Sequence, residues 1–192
     1  MTVNSELVEQ YLLEGDRLQE SGKFDRAIAQ YQKILALKPD VAVAHNKIAE
    51  VYYTQQKYVQ AIGCCYETLR QQPNFAPAYK TLGNILQAQG KTDAAVRAYS
   101  KAIEFDPNLV AAYVNLGSMY YKQGLSDEAI TYYQKAIAMQ PDLAAAYWNL
   151  GKVLEQQGRT NEGLIYQQKA LNLDPDISGN TGLVSKAVNK IN

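Results

Sequence analysis

Five of the six prolines, Pro39, Pro73, Pro107, Pro141 and Pro175, are spaced 34 residues apart. A fixed period of this length marks a chain built from copies of one supersecondary unit. Each proline is followed by Asp40, Asn74, Asn108, Asp142 or Asp176. A proline that stops one helix, followed by an Asx that caps the next, predicts helix punctuation at every period. Counting back from the prolines divides the chain into repeats 8–41, 42–75, 76–109, 110–143 and 144–177.

Other marks keep the same spacing. Small residues recur at Gly15, Ala49, Gly83, Gly117 and Gly151, and again at Ala27, Ala61, Ala95, Ala129 and Gly163. Large residues stand at Tyr11, Tyr79, Tyr113 and Tyr147, with Leu18, Tyr52, Leu86, Tyr120 and Leu154 further along. Small set against large is the pattern of two helices that interlock without voids. Gly22, Gly90, Gly124 and Gly158 mark a turn between the two helices. Thr92, Ser126 and Thr160 are expected to cap the second helix of their repeats.

These residues resemble the tetratricopeptide repeat (TPR) family. The stretch from Ala111 through Gly124 and on from Asp127 to Pro141 looks like the family consensus almost throughout, and the likeness runs over residues 8–177. Departures are His45 for an aromatic, Cys65 and Gln167 for the second-helix aromatic, Glu14 for an aliphatic, and Gln56 for the turn glycine. The resulting expectation is all-α: one domain, residues 1–192, forming a right-handed solenoid of five helix-turn-helix repeats. The tail carries Leu183, Val184, Ala187, Val188 and Ile191 at helical spacing, with Lys186, Asn189 and Lys190 opposite. It reads as a capping helix over about residues 181–191 that covers the last repeat. A chain cut from a longer array, or from the front of a larger enzyme, is the alternative.

Charge and chemistry narrow the function. Lys plus Arg number 19 and so do Asp plus Glu, so no net field draws nucleic acid or an anionic membrane. No leader-like or bilayer-length apolar segment stands out, and the reading is a cytoplasmic protein. Cys64 and Cys65 are neighbours whose side chains diverge by about 100° on a helix, which favours buried free thiols over a disulfide. His45 is the only histidine and replaces a tyrosine of later repeats, so a structural role is expected. No carboxylate pair, metal cluster, phosphate loop or nucleophile motif stands out; the expectation is a non-enzyme without cofactor or metal.

What the resemblance implies is a protein-interaction scaffold that binds an extended peptide or partner helix on a wall made by the first helices. Helical spacing assigns to that groove Asn46, Glu50, Tyr53, Lys80, Asn84, Gln87, Ser118, Tyr121, Trp148 and Lys152, and the resemblance adds Asn115 and Asn149. Leu12, Asp16, Gln19, Val114 and Glu155 fall on the same wall. Lys80, Asn84 and Asn115 also match part of the clamp by which some members hold the C-terminal carboxylates of chaperones. Ala145 and Asn149 stand where its last two cations belong, so the clamp is incomplete. Asn115 and Asn149 resemble rungs of the asparagine ladder in O-linked N-acetylglucosamine transferases, which makes a substrate-recognition arm of a larger transferase the alternative function. Self-association through exposed end helices is a further option.

Overall fold

The computed structural model describes residues 3–177; the expected capping helix at 181–191 lies outside them. Among the described residues there are ten α-helices and no strand: α1 (Val3–Glu20), α2 (Phe24–Leu37), α3 (Ala42–Thr54), α4 (Tyr58–Gln71), α5 (Ala76–Ala88), α6 (Thr92–Phe105), α7 (Val110–Lys122), α8 (Ser126–Met139), α9 (Ala144–Gln156) and α10 (Thr160–Leu173). Consecutive pairs form five hairpins, one per expected repeat. Two compact units result, Met1–Asp106 with repeats 1 to 3 and Pro107–Asn192 with repeats 4 and 5. No helix of the described residues is long and apolar enough to cross a membrane.

The prolines end helices through their neighbours. Lys38, Gln72, Asp106, Gln140 and Asp174 are C-caps with extended backbone, for example φ −134° and ψ 90° at Gln72. A following proline ring forces that conformation on the residue before it. Each C-cap N–H still reaches the carbonyl four residues back, as from Gln72 to Thr68 at 2.8 Å. The proline carbonyls are used as well: Tyr79 Oη donates to Pro73 O (3.1 Å) and Tyr113 Oη to Pro107 O (3.0 Å). His45 Nε2 lies 3.4 Å from Pro39 O, so the histidine takes over a tyrosine's tether.

The residues expected as caps do not occupy the N-cap positions. The N-caps of α3, α5, α7 and α9 are Val41, Phe75, Leu109 and Leu143, one residue beyond Asp40, Asn74, Asn108 and Asp142. Thr92, Ser126 and Thr160 are the first helical residues of α6, α8 and α10, whose N-caps are Lys91, Leu125 and Arg159. None of these N-caps makes a side-chain capping bond. Before the first helices, the N-cap position is occupied by half-buried apolar side chains, Val41 packing on the core of repeat 1. The N-cap carbonyls take the amides instead, as Ala78 N–H to Phe75 O at 3.0 Å.

The turn between helices passes through the left-handed region, with φ of 71° at Gly22, 72° at Gly90, 78° at Gly124 and 79° at Gly158. Repeat 2 makes the same turn with Gln56 at φ 58°, the one non-glycine residue with positive φ among those described.

Inside the hairpins the small positions do not simply face each other. A Cβ at Gly83 would stand 2.5 Å from Tyr99 Cε1, and one at Gly117 would stand 2.9 Å from Tyr133 Cε1; Gly15 lies against Tyr31 likewise. Gly15, Gly83 and Gly117 are therefore each the seat of a second-helix tyrosine ring. In repeat 2 the seat is Ala49 and the occupant the smaller Cys65. In repeat 5, where Gln167 replaces the ring, Gly151 and Gly163 come together, a Cβ on either falling 2.7 Å from the other's carbonyl oxygen. The unit 1 cores gather Leu18, Ile28, Tyr31, Ile34, Ile48 and Val51, and then Ala49, Ala61, Cys65 and Ile85. The unit 2 core gathers Tyr133, Leu150, Val153 and Leu154. Leu12 and Val114, assigned to the wall by spacing, pack in part against these cores. Cys65 is buried and Cys64 only half-buried, both free thiols.

Candidate functional site

The seated tyrosines extend past their glycines to the polar edge of the first helix. Tyr31 Oη stands 2.7 Å from Asp16 Oδ1 and 3.1 Å from Gln19 Oε1. Tyr99 Oη stands 2.8 Å from Asn84 Oδ1 and 2.9 Å from Gln87 Oε1. Tyr133 Oη meets Ser118 Oγ at 3.0 Å, while that serine donates to Val114 O. In repeat 5 the amide of Gln167 donates to Glu155 at 2.7 Å. A hydroxyl has one proton, so it donates to one oxygen at a time and the paired acceptors share it. Burial raises the pKa of Tyr31, Tyr99 and Tyr133, with the Asp16 carboxylate adding to the effect at Tyr31.

Six of the residues assigned to the wall, Asp16, Gln19, Asn84, Gln87, Ser118 and Glu155, are thus engaged in holding their own hairpins together. Helical spacing alone missed this strap. Its signal was present, since a second-helix tyrosine keeps the same ruler as the polar pair it reaches.

Repeat 2 has no tyrosine to hold, and Glu50 bonds elsewhere. Its Oε1 accepts from Asn46 Nδ2 (3.3 Å), Lys80 Nζ (3.2 Å) and Thr81 Oγ1 (3.4 Å), which binds α3 to α5. One repeat earlier, Lys47 Nζ pairs with Asp16 at 2.9 Å and binds α1 to α3. Lys80, the cation that matched a chaperone-tail clamp, is therefore neutralised by Glu50. Asn46 is buried rather than presented on a surface. Tyr53 is half-buried, its ring 6.3 Å from that of Tyr58.

Unit 2 presents a different first-helix surface. Asn115 and Tyr121 on α7, and Trp148 and Asn149 on α9, are half-buried, and Lys152 is exposed one turn beyond Trp148. Indole, phenol, amides and an ammonium group are side chains suited to gripping an extended backbone and its neighbours. In unit 1 the structure brings Asn46, Glu50 and Lys80 together and joins Asn84 to Gln87 through Tyr99. At the outer edge of α1, Leu13 is 73% exposed beside Gln10, Glu14 and Arg17. Among the described residues no three His, Cys, Asp or Glu side chains are grouped to hold a metal ion.

Known proteins bear out the repeat. The crystal structure of MamA is 29% identical with a TM-score of 0.69, covering 86% of this chain and 96% of that one. The crystal structure of YrrB, described as a TPR protein with an unusual peptide-binding site, is 21% identical with a TM-score of 0.65 and covers 98% of both chains. PilF of Pseudomonas aeruginosa, at 17% identity, superposes with a TM-score of 0.80 over 99% of this chain and 86% of its own. At these identities the last two share the fold alone. No curated protein sequence matches the chain. The family described as TPR repeat matches residues 15–63, 83–124 and 117–158, and the one described as tetratricopeptide repeat matches 144–177. With matches over well more than half its length, and hairpins that follow the same period, the chain belongs to the tetratricopeptide repeat family.

Proposed function

We propose that this protein is a non-catalytic scaffold that holds an extended peptide segment of a partner protein against its first helices, with unit 2 supplying the principal contacts. The observation that carries the reading is the contrast between the two units. In unit 1 most of the polar wall is consumed by straps and by the Glu50–Lys80 pair; in unit 2 the straps take Ser118 and Glu155, and α7 and α9 keep the larger side chains Tyr121, Trp148 and Lys152 at the surface, with Asn115 and Asn149 half-buried on the same helices. Aromatic anchors next to amides supply contact area and backbone hydrogen bonds at low entropic cost. Lys47 and Lys80 are paired with acids, so a chaperone-tail carboxylate would first have to displace Asp16 or Glu50. That disfavours the clamp.

The test starts from a displayed library of random peptides selected on the whole chain. Selected peptides are expected to bind with Kd on the order of micromolar, to shift the emission of Trp148, the only tryptophan, and to lose about tenfold or more in affinity when Asn115 and Asn149 are both changed to Ala. Peptides that bind the double variant equally well and leave Trp148 emission unmoved would defeat the assignment.

A further inference from the structure

Repeat 2 keeps the backbone bonds of the turn, as Lys57 N–H to Tyr52 O at 2.8 Å, but differs from its neighbours in unit 1 in its strap, its turn residue and its buried acceptors. Repeats 1 and 3 close with a tyrosine hydroxyl from the second helix bonded to the first, Tyr31 to Asp16 and Tyr99 to Asn84. The corresponding residue of α4 is Cys65, whose thiol sulfur sits one bond beyond Cβ and cannot span to Glu50 or Tyr53. Glu50 turns instead to Lys80 and Thr81 of the next repeat. The α3–α4 turn runs through a glutamine in the left-handed region, where the neighbouring repeats use Gly22 and Gly90. Asn46 Oδ1, Gln55 Oε1 and Gln71 Oε1 are buried in this hairpin with no hydrogen-bond partner, against Gln89 Oε1 alone in repeat 3. What holds α4 on α3 is mainly packing: Ala49, Ala61 and Cys65 at the centre, with Tyr52, Tyr53, Tyr58 and Ile62 partly buried around them.

We infer that the α3–α4 hairpin is a built-in yielding point of unit 1: it opens locally, below the free energy of opening α5–α6, and in doing so uncovers the Cys64–Cys65 pair. Fewer closing bonds within the hairpin lower the cost of separating α4 from α3, while the Glu50 contacts to α5 keep α3 attached to the next repeat. The moving element is therefore α4. This runs against simple end fraying, in which the terminal hairpin α1–α2 would loosen first and the interior ones together. Cys65 is fully buried when the hairpin is closed, so its exposure reports the opening.

Hydrogen exchange of the full chain, read by mass spectrometry, tests this. Amides of α4 are expected to exchange at least tenfold faster than those of α6, equivalent to about 1.4 kcal/mol. Maleimide labelling of Cys65 in a Cys64→Ala chain is expected to be limited by the same opening. Copying the repeat 3 closure into repeat 2, by Ala49→Gly, Glu50→Asn and Cys65→Tyr together, restores both the seat and the strap and is expected to slow α4 exchange at least tenfold. Gln56→Gly relieves the turn without touching the core, and is expected to slow it severalfold. Exchange of α4 in the native sequence no faster than that of α6 overturns the inference. So does α4 exchange left unchanged by Gln56→Gly, which decides the matter should the triple variant fail to fold.

Discussion

A tyrosine ring over a glycine with its hydroxyl bonded beyond it combines packing and a hydrogen bond in one side chain, and both halves can be tested at Tyr99. Removing the hydroxyl in Tyr99→Phe leaves the oxygens of Asn84 and Gln87 without their donor, and is expected to cost about 1–2 kcal/mol of stability in urea unfolding. Gly83→Ala attacks the other half. Its methyl would meet the ring at 2.5 Å, too close for rotamer adjustment, and a loss of roughly 2–3 kcal/mol is expected. The strap also sets a pH dependence. Burial holds the folded-state pKa of Tyr31 and Tyr99 above the ordinary value near 10. The stability tied to their neutral forms is therefore complete below pH 10 and falls as pH rises past it, because the unfolded chain then loses protons that the folded one keeps. Burial likewise pushes the Cys65 thiol up to about 12, adding to the alkaline loss. Melting temperature against pH should fall less steeply above pH 10 in Tyr99→Phe than in the native chain.

Within the hairpins, helix and turn were legible from the spacing of Gly, Ala and Pro, whereas the caps were not. Asp40, Asn74, Thr92 and Ser126 have the chemistry of N-caps, yet the register of the hairpin places each a residue off. Val41 shows why: packing it against the core of repeat 1 sets where α3 begins, and the neighbouring Asx must follow. Tertiary packing prevailed over local propensity there. The turn itself behaves as its residues predict, and Gln56 is the informative case. A non-glycine residue in the left-handed region costs about 1–2 kcal/mol, against a backbone-entropy penalty of roughly 0.5–1 kcal/mol for glycine. Gln56→Gly should therefore raise stability by about 0.5–1 kcal/mol, while Gly90→Ala at φ 72° lowers it by about 1 kcal/mol. Chemical denaturation of the two single variants checks both signs.

At the scale of the molecule, hairpins that within each unit touch mainly their neighbours make stability a sum of local terms, and unfolding need not be one concerted event. Trp148 reports only unit 2 and Cys65 only unit 1. The urea midpoint from Trp148 fluorescence is expected to lie above the midpoint from Cys65 labelling in a Cys64→Ala chain, because the Cys65 hairpin is the one without a strap. Coincident midpoints would mean that the two units unfold as one. Ionic strength adds a second handle. The Asp16–Lys47 and Glu50–Lys80 pairs bind successive first helices in unit 1, at side-chain exposures of 23% to 39%. They are screened only in part by salt.

The period, the hairpin and the family were determined by the sequence alone, because each rests on residues whose backbone or volume requirement is the same wherever they stand: proline that forces its predecessor extended, glycine in a left-handed turn, glycine under a ring. The division of labour among the polar residues was decided only by tertiary structure. Asn84, Gln87, Ser118 and Lys80 fall on the first-helix wall by helical spacing, but spacing along one helix does not reveal that a hydroxyl from α6 or α8, or a carboxylate from α3, already holds them. That depends on the depth at which two helices interlock. Depth is fixed by the fit of Tyr99 over Gly83 and of Cys65 over Ala49, a property of pairs of side chains distant in the chain.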